Sequence, residues 1–198
     1  MMSDNESLKF LEQFANQNLA SLKSGSLTDQ LLAVERAGHL LADVLRNGGL
    51  ILSAGNGGSM ADAMHLAEEL SGKYREVRPA LRAVSLSDPT YLTCVANDFG
   101  YDQVFARGCE SLLREGDVAV LYSTSGSSKN ILAAADYCMQ SNIRTIGITG
   151  VLDSALEKLV TVCLAPAKNL PTEGAQLVHT MWTHMLIELV EKKLGYVS

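Results

Sequence analysis

Clustered basic charge, paired cysteines and long apolar runs are all missing from this 198-residue sequence. Each absence excludes a class of function. The 16 lysines and arginines are scattered and outnumbered by 22 acidic residues, for a formal charge of −6. A nucleic-acid-binding surface shows a basic patch, so direct binding of DNA or RNA is disfavoured. An anionic ligand must be held by local backbone dipoles, because the global field repels it. The four cysteines, Cys94, Cys109, Cys138 and Cys163, make no CxxC pair and no cluster at zinc-site spacing. Each reads as a small buried apolar residue, a usage that fits a reducing compartment. No apolar stretch reaches the roughly 20 residues of a membrane span. Met1-Met2-Ser3-Asp4-Asn5-Glu6 has neither the basic start nor the apolar run of a signal peptide. The expectation is a cytoplasmic protein with no membrane partner. Four prolines are too few for a long disordered linker, and 47% hydrophobic residues suffice for a full core. The whole chain, 1–198, reads as one domain, with N-terminal helices over 1–48 and a ligand-binding core over 49–198.

The apolar pattern orders the elements. Leu8, Leu11, Ala15, Leu19 and Leu22 recur at helical spacing, with Gly25 as a C-cap. A second helix is predicted over Thr28–Arg46, stopped by Gly48-Gly49. Together they carry more apolar surface than surface helices need, so they pack on the sheet or against another subunit. Strand-like runs follow at Leu50–Ala54, Arg82–Leu86, Val118–Tyr122, Thr145–Ile148 and Val160–Leu164. Helical patterns lie between them near Met60–Gly72, Thr90–Asn97, Gln103–Leu113, Asn130–Gln140 and Ser154–Leu159, with a last one over Gly174–Leu194. This alternation predicts an α/β fold, a three-layer doubly wound sandwich with a five-stranded parallel, flavodoxin-like sheet. Ligands of such sheets bind at the carboxyl ends of the strands, where the strand order reverses.

Two strand-to-helix loops sit where that rule looks. Gly55-Asn56-Gly57-Gly58-Ser59 follows the first strand. Glycines admit a ligand close to backbone N–H groups, and the helix start adds a positive dipole end. A tight turn accounts for this loop equally well. It lacks the Gly-x-Gly-x-x-Gly spacing of a dinucleotide fingerprint and the Gly-Lys-Ser/Thr of a P-loop. The second loop, Ser123-Thr124-Ser125-Gly126-Ser127-Ser128, holds five hydroxyls around one glycine. A capped helix start needs only one of them, at Ser128. Five make a nest for an oxyanion such as phosphate.

Candidate acid–base residues lie on two helices. His65 and Glu69, four apart, share a face of the helix that leaves the first loop. Gln176, His179 and His184 lie on the last helix. Gln176 and His184 are separated by about 12 Å of helical rise, and geometry alone selects Gln176 with His179 as readily. His39 has no motif around it and reads as structural.

The two loops resemble the ligand loops of sugar isomerase (SIS) domains. Within that superfamily Gly55–Ser59 followed by Asp62-Ala63-Met64-His65-Leu66-Ala67-Glu68-Glu69-Leu70 is similar to the phosphoheptose isomerase family, as are Asn97-Asp98-Phe99-Gly100-Tyr101 and Gln176-Leu177-Val178-His179 with His184. The resemblance spans about Gly49 to Glu191. It implies sugar contacts from Asn56, Gly57, Gly58, Ser59, Lys73, Asn97, Asp98 and Gln176, and a zinc site of His65, Glu69, Gln176 and His184. It leaves His179 a packing role. Ser123, Thr124, Ser125 and Ser128 would hold the phosphate. Glu69 as base and His184 as acid or proton shuttle supply what aldose–ketose isomerisation requires. The expected substrate is sedoheptulose 7-phosphate, and the expected assembly a homotetramer with sites at subunit boundaries. A different class stays open: a non-catalytic sensor of sugar phosphates, or an adaptor for the replication initiator, on the same fold. Such a protein would keep the serine loop but need neither Glu69 nor His184. The chain departs from the family at Lys73, where arginine is common, at Val151-Leu152-Asp153 in place of an acidic, glycine-rich stretch, and at Glu173-Gly174-Ala175, which lacks the usual arginine.

Overall fold

The computed structural model describes residues 4–197. Helices α1 (Asp4–Ser24) and α2 (Thr28–Arg46) lead into β1 (Ile51–Ala54), α3 (Gly58–Ser71), β2 (Ala83–Ser85), α4 (Pro89–Phe99), α5 (Val104–Leu112), β3 (Val118–Ser123), α6 (Lys129–Gln140), β4 (Arg144–Thr149), β5 (Val162–Leu164) and α7 (Thr172–Leu194). The strands form one parallel sheet in the order β2-β1-β3-β4-β5. Strand order therefore reverses between β1 and β3, and both candidate ligand loops leave the sheet there.

The strands are apolar on both faces because both are covered. Ile51, Val118, Val120, Ile146 and Ile148 pack under α2, α3 and α7. Leu52, Ala119 and Leu121 alternate with them toward α4, α5 and α6. The α2 face buries Ala33, Val34, Leu41 and Val44 in the first of these cores. Helix α1 is held more loosely, in part through the Trp182 indole donating to the Gly25 carbonyl at 2.8 Å. It leaves Leu8, Phe10, Leu11, Phe14 and Leu19 exposed.

Two expectations need correction. Ser154–Leu159 forms no α-helix; only Glu157–Leu159 turns, as a 3-10 segment. Asp153 has a positive φ of 51°, and the Ser154 hydroxyl and Gly126 carbonyl take the N–H groups of Glu157 and Leu156. A six-residue run so anchored has no length over which to propagate a helix. The cysteines are not uniformly buried either: Cys109 and Cys138 are, Cys163 is half-buried, and Cys94 is exposed on α4.

His179, on α7, is fully enclosed between the rings of Tyr122 and Trp182, with centroids 6.2 and 6.1 Å away. Burial pushes its pKa down to about 4, although the nearby Thr149 backbone favours the charged form. Neither ring nitrogen reaches hydrogen-bond geometry with a partner. The unfolded chain thus binds a proton that the folded chain refuses. Stability from this group is complete above the free-histidine value of 6.5 and is lost as pH falls toward 4. The loss amounts to about 3 kcal/mol. We expect His179→Phe or His179→Leu to flatten the fall in urea midpoint between pH 7 and pH 4.5. Parallel loss of stability in parent and variants would disprove this assignment.

Candidate active site

The first loop turns at Gly57, and α3 begins with no side-chain cap. A Cβ at Gly58 would lie 1.9 Å from the Gln176 amide nitrogen, so a side chain there would push the glutamine aside. Gln176 of α7 therefore rests against the head of α3. The second loop is pinned from the β4 side: Gly150 N–H donates to the Thr124 carbonyl, and Leu156 N–H to the Gly126 carbonyl. Gly126 has φ of 61°, and a Cβ there would meet Ser154 at 2.4 Å. The hydroxyls of Ser123 and Ser128 pair at 3.1 Å, and Ser125 accepts from the Ser127 hydroxyl at 3.1 Å. Ser128 stands at the N-cap of α6, yet its side chain makes no capping bond. The bland explanation for these hydroxyls thus loses its one required contact.

A reciprocal amide pair joins the loops. Asn56 Nδ2 donates to Asn130 Oδ1 at 2.8 Å, and Asn130 Nδ2 returns a bond to Asn56 Oδ1 at 2.9 Å. The Tyr101 hydroxyl also donates to Asn56 Oδ1, at 2.8 Å. Sequence reasoning took Asn56 but passed over Asn130 and Tyr101. Tyr101 stood at the end of the quoted run Asn97–Tyr101, and Asn130 opened the helical pattern two residues after the second loop.

The acid–base residues meet between α3 and α7. His65 Nε2 lies 3.2 Å from Glu69 Oε1, and His184 Nε2 lies 3.9 Å from Glu69 Oε2. The two imidazoles stand edge to face with centroids 4.9 Å apart. One donor atom from each of the three side chains falls within 4.8 Å of the others. Tyr74 stacks on His184 at 5.9 Å. His179, which spacing alone could not separate from His184, faces the core instead. With its pKa pushed down to about 4, the buried ring is uncharged at neutral pH.

These contacts form a ladder. Residues 176, 180, 184 and 191 follow one stripe of α7. Gln176 meets Gly58, Thr180 donates to Asp62 Oδ1 at 2.9 Å, His184 meets Glu69, and Glu191 binds Arg78 at 2.7 Å. Burial raises the Asp62 pKa, opposed by the Thr180 hydrogen bond and the nearby His65. Asp62, Thr180, Arg78 and Glu191 were all missed, because each pairs with a residue far away in sequence.

The donor set fits a divalent cation. Two imidazoles and a carboxylate are the ligand types of a zinc site, and one donor atom of each lies within 4.8 Å of the others. Glu69 Oε2 is buried with no hydrogen-bond partner, as an atom awaiting a ligand would be. Other expected residues are not drawn in. Asn97 and Asp98 lie exposed on the last turn of α4, bonded to each other at 2.7 Å. Lys73 is exposed just beyond Gly72, the C-cap of α3.

Known proteins are similar to this chain in sequence and fold. A SIS domain matches residues 13–150. A phosphoheptose isomerase of Aeromonas hydrophila is 44% identical over 178 residues, covering 89% of this chain and 93% of that one. One from Vibrio cholerae is 44% identical over 162 residues, 82% and 85% of the two chains. The solved phosphoheptose isomerase of Neisseria gonorrhoeae superposes with a TM-score of 0.81 at 31% identity, over 94% of this chain and 98% of that one. That of Francisella tularensis reaches 0.87 at 26% identity, over 96% and 100%. With a domain match across most of its length and relatives similar nearly end to end, the chain belongs to the SIS domain family and, within it, to the phosphoheptose isomerases.

Proposed function

We propose that this chain converts sedoheptulose 7-phosphate to D-glycero-D-manno-heptose 7-phosphate, the first step of nucleotide-activated heptose synthesis, in the cytoplasm and as a single working domain. The observation that carries the reading is the convergence of His65, Glu69 and His184 from two helices, α3 and α7. A sugar-phosphate sensor or adaptor would need the loop and not the convergence, so that alternative is not favoured.

The division of labour follows from the residue types. Ser123, Thr124, Ser125 and Ser128 hold the phosphate, using hydroxyls and the dipole end of α6. Asn56, Gly57, Gly58, Ser59, Asn97, Asp98, Lys73 and Gln176 are proposed to line the sugar. Glu69 takes the proton from C1 of the ketose and returns it to C2. His184 moves a proton between O1 and O2, completing the exchange of aldehyde and ketone. A zinc ion held by His65, Glu69 and His184 would polarise the carbonyl and stabilise enediolate charge; Gln176, the fourth ligand the resemblance implies, rests against Gly58 two turns before His184 and would have to reach the ion from there. Anchoring the phosphate positions the reacting carbons at the other end of the sugar.

The exposed apolar residues of α1, continued by Leu27, Leu31 and Leu32 at the start of α2, support a homotetramer. An open groove of about 1180 Å³ runs past His184, lined by Tyr74, Met181, Met185 and Tyr196 among others. A neighbouring subunit would cover it and complete the site. Closed symmetry is the usual outcome for such faces.

The direct test is incubation with sedoheptulose 7-phosphate, with and without zinc, for aldose product. In the same assay, with metal content measured, Glu69→Gln should lower turnover by ~10²–10⁴-fold. Turnover within a few-fold of the parent would assign the base elsewhere. Ser125→Ala and Ser128→Ala should raise KM more than they lower kcat, since both are proposed to touch a non-reacting group. Unchanged KM in both variants would remove the phosphate assignment. Light scattering at micromolar concentration should give four times the chain mass. A fully active monomer would refute the shared-site assembly.

A further inference from the structure

Arg78 lies in the segment between α3 and β2, outside every motif of the sequence, yet its side chain is 2% exposed and that of its partner Glu191 is 1% exposed. The guanidinium donates from Nε to Glu191 Oε1 at 2.7 Å, from Nη2 to the Glu69 carbonyl at 2.6 Å, and from Nη1 to the carbonyls of Leu70 at 2.8 Å and Pro79 at 3.1 Å. The last carbonyls of a helix have no partner within it, and Arg78 satisfies two of them at the end of α3. One of the two belongs to Glu69 itself. The carboxylate that completes the contact lies two turns beyond His184 on α7. One planar cation therefore joins the backbone of Glu69 to the helix that carries His184.

We infer that Arg78, held by Glu191, is a positioning residue that sets the Glu69 carboxylate against His65 and His184. This rests on the reading that these three side chains act together. Three features favour placement over mere stability. A buried ion pair is a poor source of net stability, since desolvation offsets most of its attraction. Here the desolvation cost is even less well compensated, because Glu191 Oε2 has no hydrogen-bond partner among the described residues. Arginine's rigid fork, moreover, fixes direction at several acceptors together, which lysine cannot do.

The test compares Arg78→Lys with the paired replacement Arg78→Met/Glu191→Leu. The pair removes both charges together, so that neither is left buried alone. Zinc affinity of the stripped protein is read by chelator competition, melting temperature by calorimetry, and kcat and KM separately. The paired variant should melt within a few degrees of the parent, while zinc affinity and kcat each fall about 10–100-fold. KM should stay within a few-fold, because the phosphate loop is untouched. A folded paired variant with parental zinc affinity and parental kcat overturns the inference. If that variant does not fold, Arg78→Lys decides, and the same parental values in it overturn the inference. If the parent takes up no zinc, the metal assignment fails by itself, and the split between kcat and KM still judges Arg78.

Discussion

Everything at the reacting end of this site depends on the height at which α7 lies along α3. His65 and Glu69 come from one helix and His184 from the other. The sheet does not set that height, because α7 follows the edge strand β5 and crosses back over β4 and β3 to reach α3. Apolar packing between them, through Leu66, Leu70 and Ile187, is non-directional and tolerates a small slide. The polar rungs do not. Asp62 with Thr180 sits on one side of the ligand set and Arg78 with Glu191 on the other, so a slide in either direction breaks a buried hydrogen bond. Removing one partner of a buried pair costs about 3–5 kcal/mol, a large part of the 5–15 kcal/mol that holds a typical domain together. The register of the two helices is thus held by directional contacts on both sides of the ligand set.

What could be read in the sequence, and what could not, follows the same division. The α2 boundaries came out as observed, because Thr28 and Gly48-Gly49 are local signals. Both candidate loops were legible as strand-to-helix turns, since glycine and hydroxyl residues mark such a turn whatever packs around them. His65 and Glu69 were legible as a pair because helical spacing alone puts them on one face. Spacing alone did not choose between His179 and His184, which only the resemblance separated. They lie five residues apart on one helix, and in the fold their neighbours separate them: Tyr122 and Trp182 enclose one, Glu69 and Tyr74 meet the other. Asn130 was hidden because its partner, Asn56, is 74 residues earlier. Arg78 and Glu191, 113 apart, carried no pattern at all. The short turn after Asp153 misled for the opposite reason, because its apolar spacing was helical while its hydrogen bonds went to Ser154 and Gly126.

The electrostatic design also separates the two ends of the ligand. A chain of net charge −6 that binds a phosphate cannot rely on its overall field. On the proposed reading the second loop answers this with neutral donors: serine and threonine hydroxyls and the N-terminal N–H groups of α6, none of which brings a counter-charge into the crevice. The Asn56–Asn130 pair then links that loop to the first without adding charge, so the phosphate pocket and the sugar-facing turn keep a fixed separation. At the other end the chain concentrates its ionisable groups. Glu69, His65 and His184 cluster there, and buried Asp62 is close enough for His65 to oppose the rise in its pKa. Charge that can change sits where protons must move, and charge that must stay constant is left out of the loop that only holds. The Asp62 and Arg78 rungs join these ends mechanically, because the helix that starts at the first loop is the one that delivers Glu69.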